Sequence, residues 1–203
     1  MRKRSQVADH ERIGLFGGSF DPVHTGHLIL AQMAADFAGL SRVLFVPTSA
    51  PPHKAGLTIS SFEDRIEMVR LAIEGNDLFE LSLIEGSDGP SYTWESVLHY
   101  SRAGYGREQL HLLVGSDSLA DMGKWRNPAA IFDNATIISM IRPGSAALPA
   151  PPAGAAVIIL ETGANTISSS GIRRRVREGR TIRYLVPAPV EQYIGDGGLY
   201  SDI

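Results

Sequence analysis

The chain has 203 residues, of which 43% are hydrophobic and 20% charged, and its formal net charge is -3 at pH 7. A chain of this length can bury a self-sufficient core, and this composition excludes disordered and fibrous proteins. The absence of cysteine excludes disulfides, thiolate zinc sites and thiol nucleophiles, and it suits the cytoplasm. The negative net charge argues against a dedicated nucleic-acid-binding protein, and the lack of any apolar run of ~18 residues argues against a membrane protein.

Short apolar runs alternate with longer segments of helical periodicity along most of the chain. Residues 1–11 are expected to form a basic tail, and residues 143–156, rich in Pro, Ala and Gly, a surface loop. Both belong to one predicted domain that spans residues 1–203. The predicted elements are strand 12–18, helix 25–40, strand 41–47, helix 60–75 capped by Ser61, strand 78–85, helix 91–104, strand 109–115, and strands 134–141 and 155–161.

Strands that alternate with helices predict βαβ units with right-handed crossovers. The run at 109–115 is almost wholly apolar, which is typical of a parallel strand buried on both faces. We therefore predict an α/β fold with a doubly wound, Rossmann-like parallel sheet and helices on both faces. Ligands of such sheets bind at the carboxyl ends of the strands. Polar segments follow predicted strands there at residues 17–27, 47–54 and 115–125.

The segment GGSFDPVHTGH, residues 17–27, admits three interpretations. A zinc site needs a third ligand that the sequence does not supply at a suitable spacing, so no protein-held metal is expected. A dinucleotide fingerprint needs the spacing G-x-G-x-x-G and an acidic residue after the second strand, and both are missing. The third interpretation is a phosphate loop, in which Gly17 and Gly18 let a nucleotide approach the backbone while His24 and His27 flank a helix start.

The same segment resembles the HxGH motif of the nucleotidylyltransferase superfamily, α/β proteins that join a nucleoside triphosphate to a phosphate or an alcohol. Near the other end of the chain, ISSSGIRRRV, residues 167–176, resembles the ISSTxIR motif of that superfamily, with Ser170 in place of the usual threonine. The resemblance implies a fold of the HxGH type, which agrees with the predicted sheet. It also implies that the two ends of the chain meet around ATP.

The resemblance assigns roles to individual residues of both motifs. His24 and His27 would donate hydrogen bonds to ATP phosphate oxygens, and Arg173, on the first turn of a helix, would hold the far end of the triphosphate. ATP would also contact the two glycine loops and the serine run, at residues Gly17, Gly18, Ser19, Phe20, Gly26, Gly115, Asp117, Ile167, Ser168, Ser169 and Ser170.

Further segments narrow the family. Four segments resemble, in this order, elements of bacterial nicotinate-mononucleotide adenylyltransferases: APPHK, SYTWESV, GSDSLADMGKW and RPG. Arg65 follows the first of these segments. The implied reaction transfers the adenylyl group of ATP to nicotinate mononucleotide, giving nicotinic acid adenine dinucleotide and pyrophosphate in NAD biosynthesis. Lys54 would be catalytic at a phosphate, and Mg²⁺ would enter bound to ATP. The mononucleotide would contact Ser19, Lys54, Tyr92, Thr93, Trp125 and Arg142.

Several alternatives stay open at this point. Trp125 suits either a plate for the pyridine ring or ordinary core packing, and Asp117 suits either ribose binding or a helix N-cap. The alternative activities are another adenylyltransferase, such as one acting on pantetheine phosphate, and a nucleotide-binding module without catalysis. The sequence does not decide between the acid and the amide mononucleotide. It also leaves the oligomeric state open, a homo-oligomer being one alternative.

Overall fold

The structure, a computed structural model, describes residues 11–49, 60–86, 92–141, 150–161 and 167–201. Its strands are β1 (Ile13–Gly18), β2 (Arg42–Pro47), β3 (Phe79–Leu81), β4 (Leu110–Gly115), β5 (Thr136–Ile141) and β6 (Val157–Glu161). Its helices are α1 (Thr25–Ala38), α2 (Phe62–Ile73), α3 (Thr93–Ala103), α4 (Ser116–Asp121), α5 (Pro128–Asn134), α6 (Ser169–Arg177) and α7 (Ala188–Asp196), with a 3₁₀ turn at Met122–Lys124.

Within the described ranges, six parallel strands form one sheet in the order β3-β2-β1-β4-β5-β6. The order reverses direction between β1 and β4, so the chain leaves these neighbouring strands toward opposite faces of the sheet. Open α/β sheets bind ligands in the crevice that forms at such a switch point, outside the carboxyl ends of the strands. The predicted doubly wound parallel sheet is confirmed. The two glycine loops, which are the segments that follow Gly17 at the end of β1 and Gly115 at the end of β4, lie at this crevice.

Alternation along the strands places an apolar core on each face of the sheet. From β1, Phe16 packs in a cluster with buried residues of α1, α2, α6 and α7. Ile13 and Leu15 point the other way and pack with buried residues of α3, α4 and α5. The helices α1, α2 and α3 are those the pattern predicts, whereas α4, α5 and α7 were not predicted. Burial on both faces also explains why the central strands β1 and β4 are almost wholly apolar, with the buried His111 of β4 as an exception.

The element boundaries differ from the prediction mainly around β3. The predicted strand 78–85 ends at Leu81, and a turn follows in which the Gly86 N–H donates to the Leu83 carbonyl at 2.9 Å. This turn buries the Glu85 carboxylate, which accepts a hydrogen bond from Ser96 at 2.7 Å. The predicted cap of α2 is confirmed, because the Asp64 N–H donates to the Ser61 hydroxyl at 3.0 Å.

Parts of the predicted tail and surface loop cannot be compared with the structure, because residues 1–10 and 142–149 lie outside the described residues. Residues 150–156 carry a turn, closed by a hydrogen bond from the Ala155 N–H to the Pro152 carbonyl at 3.0 Å. In the part of the chain that the structure describes, no helix has the length and apolar character needed to cross a bilayer. That residues 1–203 form a single domain stays a prediction.

Candidate active site

The candidate site lies at the carboxyl ends of β1 and β4. Gly17 and Gly18 end β1, and Gly115 ends β4 directly before α4. A Cβ atom built on Gly17 or on Gly115 meets no atom of the described residues within 4 Å. Among the described residues, the backbone at both points is therefore open to a ligand, which agrees with the phosphate-loop interpretation for Gly17. On Gly18 a Cβ would lie 3.1 Å from the Phe20 ring, so a larger residue there would require the ring to shift.

The two histidines lie at the start of α1 and stack on each other. His24 is the N-cap, His27 is the third residue of the helix, and their ring centroids are 3.6 Å apart with planes at 22°. The His24 backbone N–H donates to Nδ1 of His27 at 3.1 Å. A neutral His27 ring therefore carries its proton on Nε2, which makes Nε2–H a hydrogen-bond donor. Gly26 lies between the histidines in the first turn, where the helix dipole favours an anion.

The two sequence motifs meet in the structure. The Ser169 hydroxyl donates to the Pro22 carbonyl at 2.9 Å across 147 positions of sequence. Nη1 of Arg173 donates to the Asp21 carbonyl at 2.7 Å and lies 3.8 Å from the Asp21 carboxylate. The prediction that both ends of the chain form one site is therefore supported by direct contacts between the loop after β1 and the beginning of α6.

The start of α6 follows the serine run with one difference from the prediction. Ser168 is the N-cap, and its hydroxyl accepts a hydrogen bond from the Gly171 N–H at 3.2 Å. Arg173 is the fifth residue of the helix, so it lies on the second turn and not on the first. This places its side chain beside the loop after β1, where Nη1 binds the Asp21 carbonyl. Ser170 is exposed on the first turn, and Ile167 packs half-buried against the core.

A buried polar network lies beneath the loop after β1, and the sequence did not predict it. The Asp21 carboxylate, 1% exposed, accepts hydrogen bonds from the Tyr200 hydroxyl at 2.8 Å and from the Ser60 hydroxyl at 2.6 Å. Burial raises the pKa of Tyr200 above its ordinary value, and the Asp21 carboxylate adds to this shift. The Tyr200 hydroxyl therefore keeps its proton at neutral pH and remains a donor.

Arg65 holds the ends of β1 and β2 together from inside the protein. Its side chain is 2% exposed and donates to the carbonyls of Ser19 at 2.9 Å, Thr48 at 2.7 Å and Ser49 at 3.0 Å. Burial lowers the pKa of Arg65, and the nearby Asp21 carboxylate opposes that shift. Because these carbonyls belong to the loops that begin the site, Arg65 fixes the site without facing it.

Phe20 takes a different place from the other predicted ATP-contact residues. Its ring is buried and packs edge-on against Phe16 and His27, at centroid distances of 5.4 and 5.1 Å. The ring is therefore part of the core, and the whole residue is only 1% exposed. The same packing fixes the orientation of the His27 ring.

The residues predicted to contact the pyridine ring come from two neighbouring segments. Tyr92 is the N-cap of α3 and Thr93 its first residue, while Trp125 follows the 3₁₀ turn and packs half-buried at the edge of the core. Arg126, which the sequence did not single out, donates from Nη1 to the Tyr92 hydroxyl at 3.0 Å. Its guanidinium carbon lies 4.7 Å from the centroid of the Tyr92 ring. Arg126 thus joins the two segments.

Some predicted site residues cannot be placed. Lys54, Arg142 and the side chain of Asp117 lie outside the described residues. The N-cap of α4 is Gly115, so the alternative role of Asp117 as a helix N-cap is wrong. Among the described residues, no group of three His, Asp or Glu side chains is suited to hold a metal ion. That the protein itself holds no metal stays a prediction.

Residues 15–175 match the family model described as cytidylyltransferase-like. A protein of Thermomicrobium roseum named "Probable nicotinate-nucleotide adenylyltransferase" is 42% identical over 199 residues, covering 95% of this chain and 92% of that protein. A protein of Thermus thermophilus with the same name is 41% identical over 190 residues, covering 93% and 99%.

A solved structure of nicotinic acid mononucleotide adenylyltransferase from Plasmodium falciparum, complexed with NaAD, matches with a TM-score of 0.78 and covers 94% of this chain and 98% of that one. Its sequence identity is 17%, so this similarity shows a common fold. The family match and the two relatives cover most of the chain and do not depend on that fold similarity. The chain therefore belongs to the nicotinate-nucleotide adenylyltransferases of the cytidylyltransferase-like family.

Proposed function

We propose that the protein transfers the adenylyl group of ATP to nicotinate mononucleotide, giving nicotinic acid adenine dinucleotide and pyrophosphate, a step of NAD biosynthesis. The observation that carries this proposal is the contact between the two motifs, formed by the bonds from Ser169 to Pro22 and from Arg173 to Asp21. These bonds bring the start of α6 close to the histidine pair and the Gly17 backbone, at the carboxyl ends of the strands. Family membership supplies the substrates.

The reaction at phosphorus requires alignment and charge neutralisation rather than a covalent intermediate. We assign the phosphate contacts of ATP to the Nε2–H group of His27, to His24 and to the guanidinium of Arg173. The glycine loops that end β1 and β4 and the serines at the start of α6 provide further backbone and hydroxyl donors. Lys54 is assigned to a phosphate from its position in the sequence. These donors would neutralise the α-phosphate and the leaving pyrophosphate.

Proteins of this family in general use a divalent metal together with ATP. We propose that Mg²⁺ is this metal and that it enters as part of the Mg-ATP substrate. The donors described at the site are histidines and an arginine, whereas Mg²⁺ prefers carboxylate and water oxygens. This donor set suits an ion that is carried by the phosphates and water.

We assign the nicotinate mononucleotide to the side of the crevice formed by α3 and the 3₁₀ turn. Trp125 would stack on the pyridine ring, and the N–H groups of Thr93 and its neighbours at the start of α3 would bind the carboxylate. The remaining assigned contacts are Ser19, Lys54, Tyr92 and Arg142. That the protein binds neither nucleic acid nor membrane and acts in the cytoplasm stays a prediction, and its oligomeric state stays open.

The proposed function is tested by offering Mg-ATP with one acceptor at a time: nicotinate mononucleotide, nicotinamide mononucleotide or phosphopantetheine. Pyrophosphate release and the mass of the adduct are measured for each. We expect nicotinic acid adenine dinucleotide as the main product. An adduct with phosphopantetheine alone would establish the alternative adenylyltransferase. ATP binding without pyrophosphate release in the presence of any of the three acceptors would indicate a non-catalytic module.

Arg126 is expected to favour the acid over the amide mononucleotide. Its guanidinium lies against Tyr92 at the start of α3, where it adds positive charge to the helix terminus assigned to the carboxylate. Replacing Arg126 with Ala should raise KM for nicotinate mononucleotide about tenfold and leave KM for the amide within about twofold. The ratio of kcat/KM for the two substrates measures this selectivity.

Lys124 provides the matched control for Arg126. It lies two positions away, carries the same charge, and is exposed and paired with Asp121 at 2.6 Å. Lys124→Ala should leave the ratio of the two substrates unchanged. An equal loss of selectivity in both variants would show a general charge effect, and an unchanged ratio in Arg126→Ala would refute the role of Arg126.

A further inference from the structure

Tyr200, near the end of the chain, is held in an unusual conformation. Its backbone φ is +69°, a value in the left-handed region that costs free energy for a non-glycine residue. Its side chain is nevertheless 3% exposed, so the surrounding contacts keep it there. Such strain is retained where a side chain must reach one particular position.

The Tyr200 side chain reaches the buried carboxylate of Asp21, which lies beneath the loop after β1. The Tyr200 hydroxyl donates to Oδ1 of Asp21 at 2.8 Å across 179 positions of sequence. The Ser60 hydroxyl lies 2.6 Å from the same carboxylate oxygen and 2.7 Å from the Tyr200 oxygen. The three oxygens form a triangle in which each hydroxyl donates its one proton to the carboxylate. A buried carboxylate without these donors would be left poorly solvated, so the triangle fixes where Asp21 sits.

Asp21 connects this triangle to the groups that face ATP. Its carbonyl accepts the hydrogen bond from Nη1 of Arg173 at 2.7 Å, and its carboxylate lies 3.8 Å from the same nitrogen. Asp21 also begins the short turn that leads to His24, the N-cap of α1. A shift of Asp21 would therefore move both the carbonyl that binds Arg173 and the turn that leads to His24.

We propose that Tyr200 is a positioning residue for adenylyl transfer, whose hydroxyl anchors Asp21 and thereby fixes Arg173 and the turn before His24. This inference rests on the proposed function, because it concerns the same site. The Tyr200 ring lies in the core cluster that contains Phe20 and Met68. Tyr200 therefore acts through Asp21, and the expected signature is a loss of rate with little loss of substrate binding.

The test is Tyr200→Phe in the full chain, a change that removes one hydroxyl and keeps the ring. We expect kcat to fall between about tenfold and hundredfold, since small displacements of positioned groups have effects of this size. KM for ATP and for nicotinate mononucleotide should stay within about threefold. Steady-state kinetics and thermal unfolding are measured on the same preparation. If Tyr200→Phe is too unstable to assay, Ser60→Ala removes the other hydroxyl of the triangle and should give the same split.

Tyr105→Phe is the matched control. The Tyr105 hydroxyl is also held against a carboxylate, donating to Glu11 at 2.8 Å and accepting from Arg42 at 2.8 Å. Tyr105 is 6% exposed. Its partner Arg42 is the first residue of β2, so this tyrosine lies at the amino ends of the strands, away from the candidate site. Tyr105→Phe should lower Tm about as much as Tyr200→Phe and leave kcat unchanged.

A double-mutant cycle tests whether Tyr200 acts through Arg173. In an Arg173→Ala background, Tyr200→Phe should lower kcat by a smaller factor than in the wild type, because one of the two groups that it positions is gone and only the turn before His24 remains. Fully multiplicative effects would overturn the inference, as would a Tyr200→Phe enzyme with normal kcat. Failure of the proposed function is a separate result, since a wild-type protein that binds Mg-ATP in calorimetry but forms no nicotinic acid adenine dinucleotide would show it directly.

Discussion

Replacing His27 with Ala is expected to lower kcat about 10²- to 10³-fold while the chain stays folded, the size of effect seen when one preorganised donor is lost. The ring receives the His24 N–H on Nδ1 at 3.1 Å, so a neutral ring carries its N–H donor on Nε2. Phe16 and Phe20 pack around the ring and keep that donor from rotating away. Steady-state kinetics with Mg-ATP and nicotinate mononucleotide measure the effect, and circular dichroism checks the fold.

Two further variants separate the loss of a donor from the loss of a ring. His27→Gln keeps an N–H donor on a side chain of similar reach, so it should lose less activity than His27→Ala. His99→Ala removes an exposed histidine on α3 and should retain full activity. A folded His27→Ala protein with wild-type kcat would refute the role assigned to His27.

Replacing Arg173 with Lys is expected to lower kcat/KM for ATP about a hundredfold. Lysine keeps the charge but lacks the planar fork of donors. It cannot bind the Asp21 carbonyl, as Nη1 does at 2.7 Å, and present further N–H groups to the triphosphate at the same time. Initial rates over a range of ATP concentrations, with the mononucleotide saturating, measure the change.

Arg174 provides the control for this substitution. It is the next residue of α6 and is exposed to solvent, so it carries the same charge on the same helix without facing the loop after β1. Arg174→Lys should behave as wild type. Equal activity of Arg173→Lys and Arg174→Lys would mean that the fork of Arg173 has no part in the reaction.

The sheet could be predicted from the sequence because its strands are buried on both faces. Each of β1, β2 and β4 appears as a short, nearly continuous apolar run, and each is followed by polar residues where the strand leaves the core. The boundaries of α1 and α2 also follow from local signals, such as the Ser61 cap. By contrast, α4 and α5 have 6 and 7 residues, which is too short for helical periodicity to be recognised.

The two candidate motifs could be recognised because each is local in sequence, whereas the contacts that hold them together are not. His24 and His27 lie on one helical turn, and residues Ser168 to Ser170 lead into α6. Each motif can therefore be recognised within a few residues of sequence. No periodicity connects Tyr200 with Asp21 or Arg126 with Tyr92, since each pair is joined only when the chain has folded. The burial of the Phe20 ring was likewise hidden, because an aromatic residue in a glycine loop suits both a ligand contact and a core position.

By itself, the sequence determined the class of fold, the two motifs and the chemistry of their donors, because hydrophobic periodicity and short motifs are properties of neighbouring residues. Only the tertiary structure decided which groups meet: Ser169 with Pro22, Arg173 with Asp21, and Tyr200 with the carboxylate beneath the loop. The physical reason is that these bonds form between segments that are distant in sequence, and the order of the strands brings these segments together at the carboxyl ends of the strands. Their partners are chosen by the packing of the core and not by spacing along the chain.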